Sequence, residues 1–320
     1  MKILITDSLA KEGVDKLKEE GFEVSEEIGV NEERLVSIIP SYTALIVRSG
    51  TKVTERVINA ANNLKIIGRA GTGVDNVDVN VATRKGIIVM NTPDSNTISV
   101  AEHTISMMLA LSRNIPQAHL SLKEEQWNRG KFMGTQVYGK ILGIIGLGRI
   151  GSEVAKRAKG LGMKVIAYDP FIPRERANEF GVDLCELKKL LPQVDYLTVH
   201  TPLIPQTKNL IGEKEIRLMK KNVRVINCAR GGIIEENSLY QALKEGRVKG
   251  AALDVFENGK PFGSPLMKLN SVILTPHLGA STEEAQRKVA IDIVCQIVDA
   301  LKWNKVRNAV NIPPSKKINH

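Results

Sequence analysis

A chain of 320 residues is long for one core and comfortable for two domains, and 42% hydrophobic with 25% charged residues excludes a disordered chain. The net charge of +10 comes from basic residues interleaved with acids, with aromatics at only 4%, which argues against a nucleic-acid surface; an anionic small substrate accounts for the sign equally well. No apolar stretch reaches the ~18 residues of a membrane span, and Cys185, Cys228 and Cys295 are scattered without a C-x-x-C pair, against a zinc site or disulfide framework and in keeping with a reducing compartment.

The segment Ile3 to Thr6 reads as a first strand and not as a signal peptide, so the expected location is the cytoplasm. A helix pattern (Leu9, Val14, Leu17) follows, with Gly21 placed to close it. Ala44 to Val47 and Leu64 to Ile67 are short continuous apolar runs, as in strands buried on both faces of a parallel sheet. Helix patterns between them imply βαβ units and an open doubly wound sheet. Ser99-Val100-Ala101-Glu102 has capping-box spacing, ahead of a long helix carrying Ile105, Met108, Leu109 and Leu111.

From Arg113 to Tyr138 the sequence is polar and aperiodic, with Trp127, Phe132 and Tyr138 scattered through it. A structureless insert of that length is uncommon in a compact domain, so a packed arm, covered by a second subunit, is expected. A second βαβ series runs from Lys140 to about Leu274. Ser281-Thr282-Glu283-Glu284 then caps a final helix ending by Trp303, and the polar tail from Pro313 to His320 is expected to fray. The fold class expected is α/β with two doubly wound parallel-sheet domains.

The strand Lys140 to Ile145 leads directly into Gly146-Leu147-Gly148-Arg149-Ile150-Gly151, and a helix pattern from Ser152 to Gly160 follows. That context gives the G-x-G-x-x-G pattern its meaning as a dinucleotide fingerprint. Gly146 serves the tight turn, Gly148 the approach of backbone to pyrophosphate, and Gly151 close helix–strand packing. The next strand, Met163 to Tyr168, ends in Asp169, 18 residues beyond Gly151; an acid there binds the ribose hydroxyls and repels a 2′-phosphate, so NAD is expected over NADP. The loop Gly71-Thr72-Gly73-Val74-Asp75-Asn76 lacks the third glycine and reads as a close-approach loop or a plain strand-to-helix turn.

Hydride transfer from a 2-hydroxy acid needs a cation for the carboxylate and a base for the hydroxyl proton. Arg230 follows the strand Val223 to Cys228, with Gly231 and Gly232 leaving room for a ligand, and its planar fork suits a carboxylate. His277 follows the strand Val272 to Thr275, and histidine is the side chain whose ordinary range suits acid–base work near neutrality. His103, His119, His200 and His320 have no comparable partner set in the sequence, and structural roles are expected for His103 and His200.

Gly68 to Asp78, the fingerprint Gly146 to Gly151, Asn227 to Gly232 and Pro276 to Thr282 occur in one order, and together they resemble the D-isomer-specific 2-hydroxyacid dehydrogenase family, in particular its phosphoglycerate dehydrogenases. The resemblance covers essentially the whole chain. It implies a central Rossmann NAD domain over 98–286, carrying a dimerisation arm at 113–138, and a split flavodoxin-like substrate domain made of 1–97 and 287–320. It also implies a homodimer and oxidation of 3-phosphoglycerate on the route to serine. By resemblance, Arg230 binds substrate and His277 is the acid/base. The NAD site would comprise Thr72, Arg149, Ile150, Asp169, Thr201, Cys228, Ala229, Arg230, Asp254 and His277, with Leu278, Gly279 and Ala280. Arg48, Ser49, Arg69 and Asn96 match substrate-side positions, and Arg129 matches a residue reaching the phosphate end from a neighbouring subunit.

Two departures from the family pattern carry expectations. The sequence ends after these two domains, which leaves no seat for regulation through C-terminal domains. The glutamate that partners the family's histidine is replaced by Gly259, and Glu257 is the nearest acid able to substitute as a catalytic residue. A glycerate or glyoxylate dehydrogenase, a corepressor of the same fold, and an NAD-sensing protein without catalysis remain open alternatives. The partner expected is a small phosphorylated acid, with no nucleic acid, membrane or metal.

Overall fold

The computed structural model describes residues 1–313, so the tail expectation from 314 onward, and His320, lie outside the described residues. The chain divides into two compact units, Met1–Asn96 together with the segment from Ser281, and Thr97–Ala280. The second crossing falls at 280/281, ahead of the expected 286/287, because the final helix starts at Glu283 and belongs whole to the first unit.

In the first unit β1 (Lys2–Ile5), α1 (Lys11–Glu19), β2 (Glu23–Glu26), α2 (Glu32–Ile38), β3 (Ala44–Val47), α3 (Glu55–Ala60), β4 (Ile66–Arg69), α4 (Val79–Arg84) and β5 (Ile88–Asn91) alternate along the chain. Among the described residues these strands form a parallel sheet in the order β2-β1-β3-β4-β5, the flavodoxin-like arrangement. Every residue of β3 is buried, as its unbroken Ala-Leu-Ile-Val run requires of a strand covered on both faces. Gly21 adopts φ +79° just beyond α1, a left-handed conformation in which a Cβ would be strained.

The second unit opens with α5 (Thr97–Arg113) and α6 (Ile115–Lys123). It continues through β6 (Ile141–Ile145), α7 (Arg149–Gly160), β7 (Lys164–Tyr168), α8 (Arg174–Glu179), β8 (Asp183–Leu184), α9 (Leu187–Leu190), β9 (Tyr196–Val199), α10 (Glu213–Leu218), β10 (Val223–Asn227), α11 (Glu236–Lys244), β11 (Val248–Leu253) and β12 (Val272–Leu274). These strands pair in parallel in the order β12-β11-β10-β9-β6-β7-β8. The order reverses between β6 and β9, which makes the carboxyl end of β6 the switch point of a Rossmann sheet.

Two expectations of local structure change. The long helix begins at Thr97, so Ser99 lies inside α5 and not at its cap, while Glu102 pairs with Arg157 of α7 at 3.3 Å. The arm, read as aperiodic, carries a helix: α6 occupies 115–123, entered through Asn114 in the left-handed region with Pro116 in the first turn, and a 3-10 turn covers Arg129–Phe132. The apolar residues of α6 do not repeat on one clear face, because Ile115, Leu120 and Leu122 are all left exposed.

The final helix, α12 (Glu283–Trp303), is capped by the Thr282 hydroxyl, which accepts the Ala285 N–H at 3.2 Å. It buries Val289, Ile293, Val294, Ile297, Val298 and Leu301 with Val14 and Leu17 of α1 and the inner residues of β1, β3 and β4. At roughly 1.5–3 kcal/mol for each large side chain, this face fixes the helix to the sheet far more firmly than its cap does. Gly68 makes the approach possible, since a Cβ there would lie 2.7 Å from Ile297 Cδ1. Beyond Trp303 the chain adds an antiparallel bridge, Ala309 to Met90, and the Asn311 carboxamide accepts the Val89 N–H at 2.8 Å.

Candidate active site

The glycine turn follows β6 at the switch point, and each glycine has its own reason. Gly146 adopts φ +90°, with the His200 carbonyl oxygen 2.7 Å from where its Cβ would stand. A Cβ on Gly151 would run into the Gly146 carbonyl, because α7 begins at Arg149 and its first turn lies on the turn that precedes it. Gly148 is the exception. It is the N-cap of α7, and nothing lies within 4 Å of its would-be Cβ. The N-terminus of a 12-residue helix thus starts at an exposed glycine that makes no side-chain cap, a setting suited to an anion. Arg149 and Ile150 occupy the first turn of that helix.

Asp169 follows β7, whose Tyr168 pairs with Ile145 of β6. Its Oδ2 accepts the Leu147 N–H at 2.9 Å, and its Oδ1 accepts those of Phe171 at 2.9 Å and Ile172 at 3.3 Å. A carboxylate offers about four acceptor positions, so one remains, chiefly on Oδ2, for a ribose hydroxyl. Thr201 follows β9, and its buried hydroxyl has no hydrogen-bond partner among the described residues. Cys228 follows β10 and is buried; burial above all, with the Asp254 charge behind it and a Thr104 hydrogen bond opposing, pushes its thiol up to about 12. Such a thiol stays protonated near neutrality and is not a nucleophile.

Arg230, Asp254 and His277 stand after β10, β11 and β12, three neighbouring strands of one sheet. The Asn227 side chain shapes the Arg230 turn, accepting the Ala229 N–H at 3.0 Å and donating to the Arg230 carbonyl at 2.8 Å. The Arg230 guanidinium donates from Nη1 to the Ala229 carbonyl at 2.7 Å. Gly231 does not leave room for a ligand as the sequence suggested: a Cβ there would strike the backbone of Phe256, so it serves the close packing of the two loops. His277 is exposed and adopts φ 57°, a left-handed backbone that is strained for a non-glycine residue and common at functional sites.

Asp254 holds that loop. Its backbone carbonyl accepts the His277 N–H at 3.0 Å. Its Oδ1 accepts from the Thr275 hydroxyl at 2.6 Å and the Leu278 N–H at 2.7 Å, and its Oδ2 accepts from the Gly279 N–H at 2.9 Å. Burial pushes the Asp254 carboxyl up, but hydrogen bonds from His103, Thr275, Leu278 and Gly279 outweigh it and hold the group below the usual carboxylate range. His103 was left without a partner set by the sequence, yet its Nε2 lies 3.3 Å from Asp254 Oδ1. The two residues are too far apart in the chain for any local signal to have joined them. Glu257 exchanges bonds with Glu236 at the start of α11, its carboxylate accepting the Glu236 N–H at 3.3 Å while its own N–H donates to Glu236 Oε1 at 2.7 Å. Gly259 adopts φ +76° in open space.

The first unit gathers the remaining candidates at the carboxyl ends of β3, β4 and β5. Asp7 accepts the Arg48 N–H at 2.6 Å and the Thr51 N–H at 3.1 Å, and Asn76 donates to the Arg48 and Thr51 carbonyls at 2.6 Å each, so the loop bearing Arg48 and Ser49 is tied down from two sides. Burial lowers the Arg48 guanidinium from its ordinary value, with Asp7 opposing. Arg69 ends β4, and its guanidinium lies where a side chain on Gly71 would stand. The Thr72 hydroxyl donates to Asn96 Oδ1 at 2.8 Å, and its carbonyl accepts from Asn91 at 2.6 Å. Arg129 is exposed on its 3-10 turn in the arm, where Trp127, Met133 and Tyr138 are exposed as well. Among the described residues no cluster of His, Cys, Asp and Glu could hold a metal, and no helix is long and apolar enough to cross a membrane.

A doubly wound sheet with an open glycine turn at its switch point and an acid after the next strand defines a dinucleotide-binding α/β protein. Residues 105–279 match the model of the D-isomer specific 2-hydroxyacid dehydrogenase, NAD binding domain, and the chain belongs to that family. It is 52% identical to the D-3-phosphoglycerate dehydrogenase of Methanocaldococcus jannaschii, across 99% of this chain and 61% of that protein. Among solved structures, the TT0316 protein from Thermus thermophilus superposes with a TM-score of 0.90 at 30% identity, covering 97% of this chain and 100% of that one. D-lactate dehydrogenase from Aquifex aeolicus complexed with NAD and lactic acid gives 0.83 at 28% identity, covering 94% and 96%. The chain spans about three fifths of the length of the curated relatives it matches. The open Gly148, the helix N-terminus behind it and the placement of Asp169 fit NAD, the cofactor of the family's domain.

Proposed function

We propose that this protein is an NAD-dependent D-2-hydroxyacid dehydrogenase that oxidises 3-phosphoglycerate to 3-phosphohydroxypyruvate, the first step of phosphorylated serine biosynthesis. The observation that carries the chemistry is the succession Arg230, Asp254 and His277 after three adjacent strands of the NAD-binding domain. The choice of substrate rests on identity near one half to D-3-phosphoglycerate dehydrogenases across 97–99% of the chain.

In this reading the Arg230 fork binds the substrate carboxylate and fixes the orientation of C2. His277, neutral in the oxidative direction, takes the hydroxyl proton as C2 gives up its hydride. Bound NAD⁺ supplies the hydride acceptor. In reduction the imidazolium returns the proton to the carbonyl oxygen. Thr72, Thr201, Cys228, Ala229, Asp254 and the 277–280 loop line the cofactor site with the glycine turn and Asp169. Arg48, Ser49, Arg69 and Asn96 serve the substrate side, a cationic group suited to a phosphorylated acid. Glu257 caps α11 through Glu236, and a Gln variant decides whether it also serves His277.

The units thus act as an NAD-binding domain and a substrate-binding domain of a cytoplasmic homodimer, the exposed apolar arm residues meeting a second copy and Arg129 adding to that copy's anion site. Arg129→Ala is then expected to raise KM for phosphoglycerate while leaving that for NAD nearly unchanged. A monomer in light scattering at micromolar concentration, fully active, would refute the assembly.

The deciding experiment is NADH formation measured across a panel: 3-phosphoglycerate, glycerate, D-lactate and glycolate. The expected result is a kcat/KM for 3-phosphoglycerate well above the others. Preference for an unphosphorylated acid would refute the substrate, and no turnover of any would refute the activity.

A further inference from the structure

His103 lies on α5 with its ring turned to the clamp beneath the His277 loop. Its Nε2 is 3.3 Å from Asp254 Oδ1 and 3.2 Å from Thr275 Oγ1. The Thr275 hydroxyl proton already goes to Asp254 Oδ1, at 2.6 Å. An ionised carboxylate accepts only, and a hydroxyl whose proton is spent can only accept. Both neighbours therefore call for a proton on Nε2, and the geometry points to the Nε2–H form of His103.

Asp254 is 1% exposed, and Oδ1 and Oδ2 between them receive the N–H groups of Leu278 and Gly279, directly after His277. His103 and Thr275 each bring a side chain to this carboxylate, and both meet it on Oδ1. We propose that His103 is a positioning residue for His277: its Nε2–H anchors the Asp254 carboxylate that clamps residues 275–279 and so holds the imidazole of His277 in its left-handed turn. The assignment of a catalytic purpose to this clamp rests on the reading of His277 as the acid/base.

A side chain that merely filled space between α5 and the loop would be replaced well by leucine and poorly by glutamine. A donor to Asp254 behaves the other way round. His103→Gln keeps an N–H within reach of Oδ1, whereas His103→Leu keeps the volume and removes the donor. Losing one charge-assisted hydrogen bond from the clamp should speed local opening of the loop by about fivefold or more. Arg230 and the glycine turn are untouched by either change.

Three measurements test the proposal. Nitrogen-15 correlation spectra of the native protein at neutral pH should find His103 protonated at Nε2; protonation at Nδ1 alone would overturn it, and this test needs no variant to fold. Amide hydrogen exchange at Leu278 and Gly279 should be about fivefold faster in His103→Leu and near native in His103→Gln; equal rates in the two variants would overturn it. With a 2-hydroxy acid, kcat should fall in His103→Leu and be restored in His103→Gln. A native protein without turnover would sink the dehydrogenase reading alone, because tautomer and exchange rates still decide on His103.

Discussion

Asp169, after β7, accepts the backbone N–H of Leu147 in the glycine turn at 2.9 Å, so the acid that is to select the ribose also braces the loop that is to meet the pyrophosphate. The two roles predict a mixed effect for Asp169→Ala. Discrimination against NADP should shrink, since the charge repelling a 2′-phosphate is gone. Affinity for NAD should also fall, by about 1 kcal/mol for each hydrogen bond lost. Ratios of kcat/KM for the two cofactors check this, and equal use of NAD and NADP by the parent protein would refute it.

Gly148 and Gly151 separate folding from binding. A methyl group at Gly151 collides with the Gly146 carbonyl, so Gly151→Ala should lower stability by roughly 1–3 kcal/mol and disorder the turn. A methyl group at Gly148 meets nothing within 4 Å, so Gly148→Ala should keep the parent Tm and lose NAD affinity only. Thermal melts with and without NAD separate the two. Unchanged NAD binding in Gly148→Ala would mean that the open space beside this residue is not where the cofactor lies.

The turn was legible because its cause is local: a strand, three glycines at fixed spacing and a helix follow one another in the chain. The same holds for β3, an unbroken apolar run, and for the end of α12 at Trp303. What escaped was set by distant partners. The bond between His103 and Asp254 joins α5 to the loop after β11, and the packing of Gly231 against Phe256 joins two βα loops. Glu257 could be read as the acid nearest Gly259 in sequence, but its contact with the first residue of α11 is set by the fold and left no local signal. α6 was missed because its apolar residues face outward, removing the periodicity by which a helix is recognised.

His200 predicts a pH dependence of stability. Its ring is buried, Nε2 meets the Thr198 hydroxyl at 3.0 Å, Nδ1 has no partner among the described residues, and burial lowers its pKa to about 3. In the unfolded chain the ring titrates near ~6.5. The unfolded state therefore binds the extra proton first, and this contribution is intact above pH 6.5. Below that it is lost as pH falls toward 3, by up to roughly 1.4 kcal/mol per pH unit. His200→Gln should be less stable at pH 7 but flatter in acid, so the Tm difference between parent and variant narrows from pH 7 to 4. Parallel Tm curves would show that the ring does not stay neutral in the fold.

Glu257→Gln tests the last open assignment of the site. Glu236 faces Glu257, and burial first, with the charge of Glu257 adding and its N–H opposing, raises the Glu236 carboxyl above its ordinary value. An acid whose folded value is raised contributes stability below its unfolded pKa and loses that contribution as pH rises through the folded value. A glutamine at 257 can still accept the Glu236 N–H while removing the like charge. Tm should therefore decline less between pH 4 and 7 than in the parent, with stability at pH 7 changed by no more than about 0.5 kcal/mol. If Glu257 serves only α11, kcat stays within about twofold of the parent, since no transition-state contact is removed. If it instead supplies the carboxylate beside His277, the imidazolium loses its stabilising charge, reductive kcat falls, and the limb on which the reductive rate declines with rising pH moves to lower pH. The reverse substitution is less informative: Gly259 sits at φ +76°, so Gly259→Glu carries about 1–2 kcal/mol of backbone strain. Activity and Tm of Glu257→Gln, measured on one preparation across that pH range, assign the carboxylate either to the α11 N-terminus or to the acid/base.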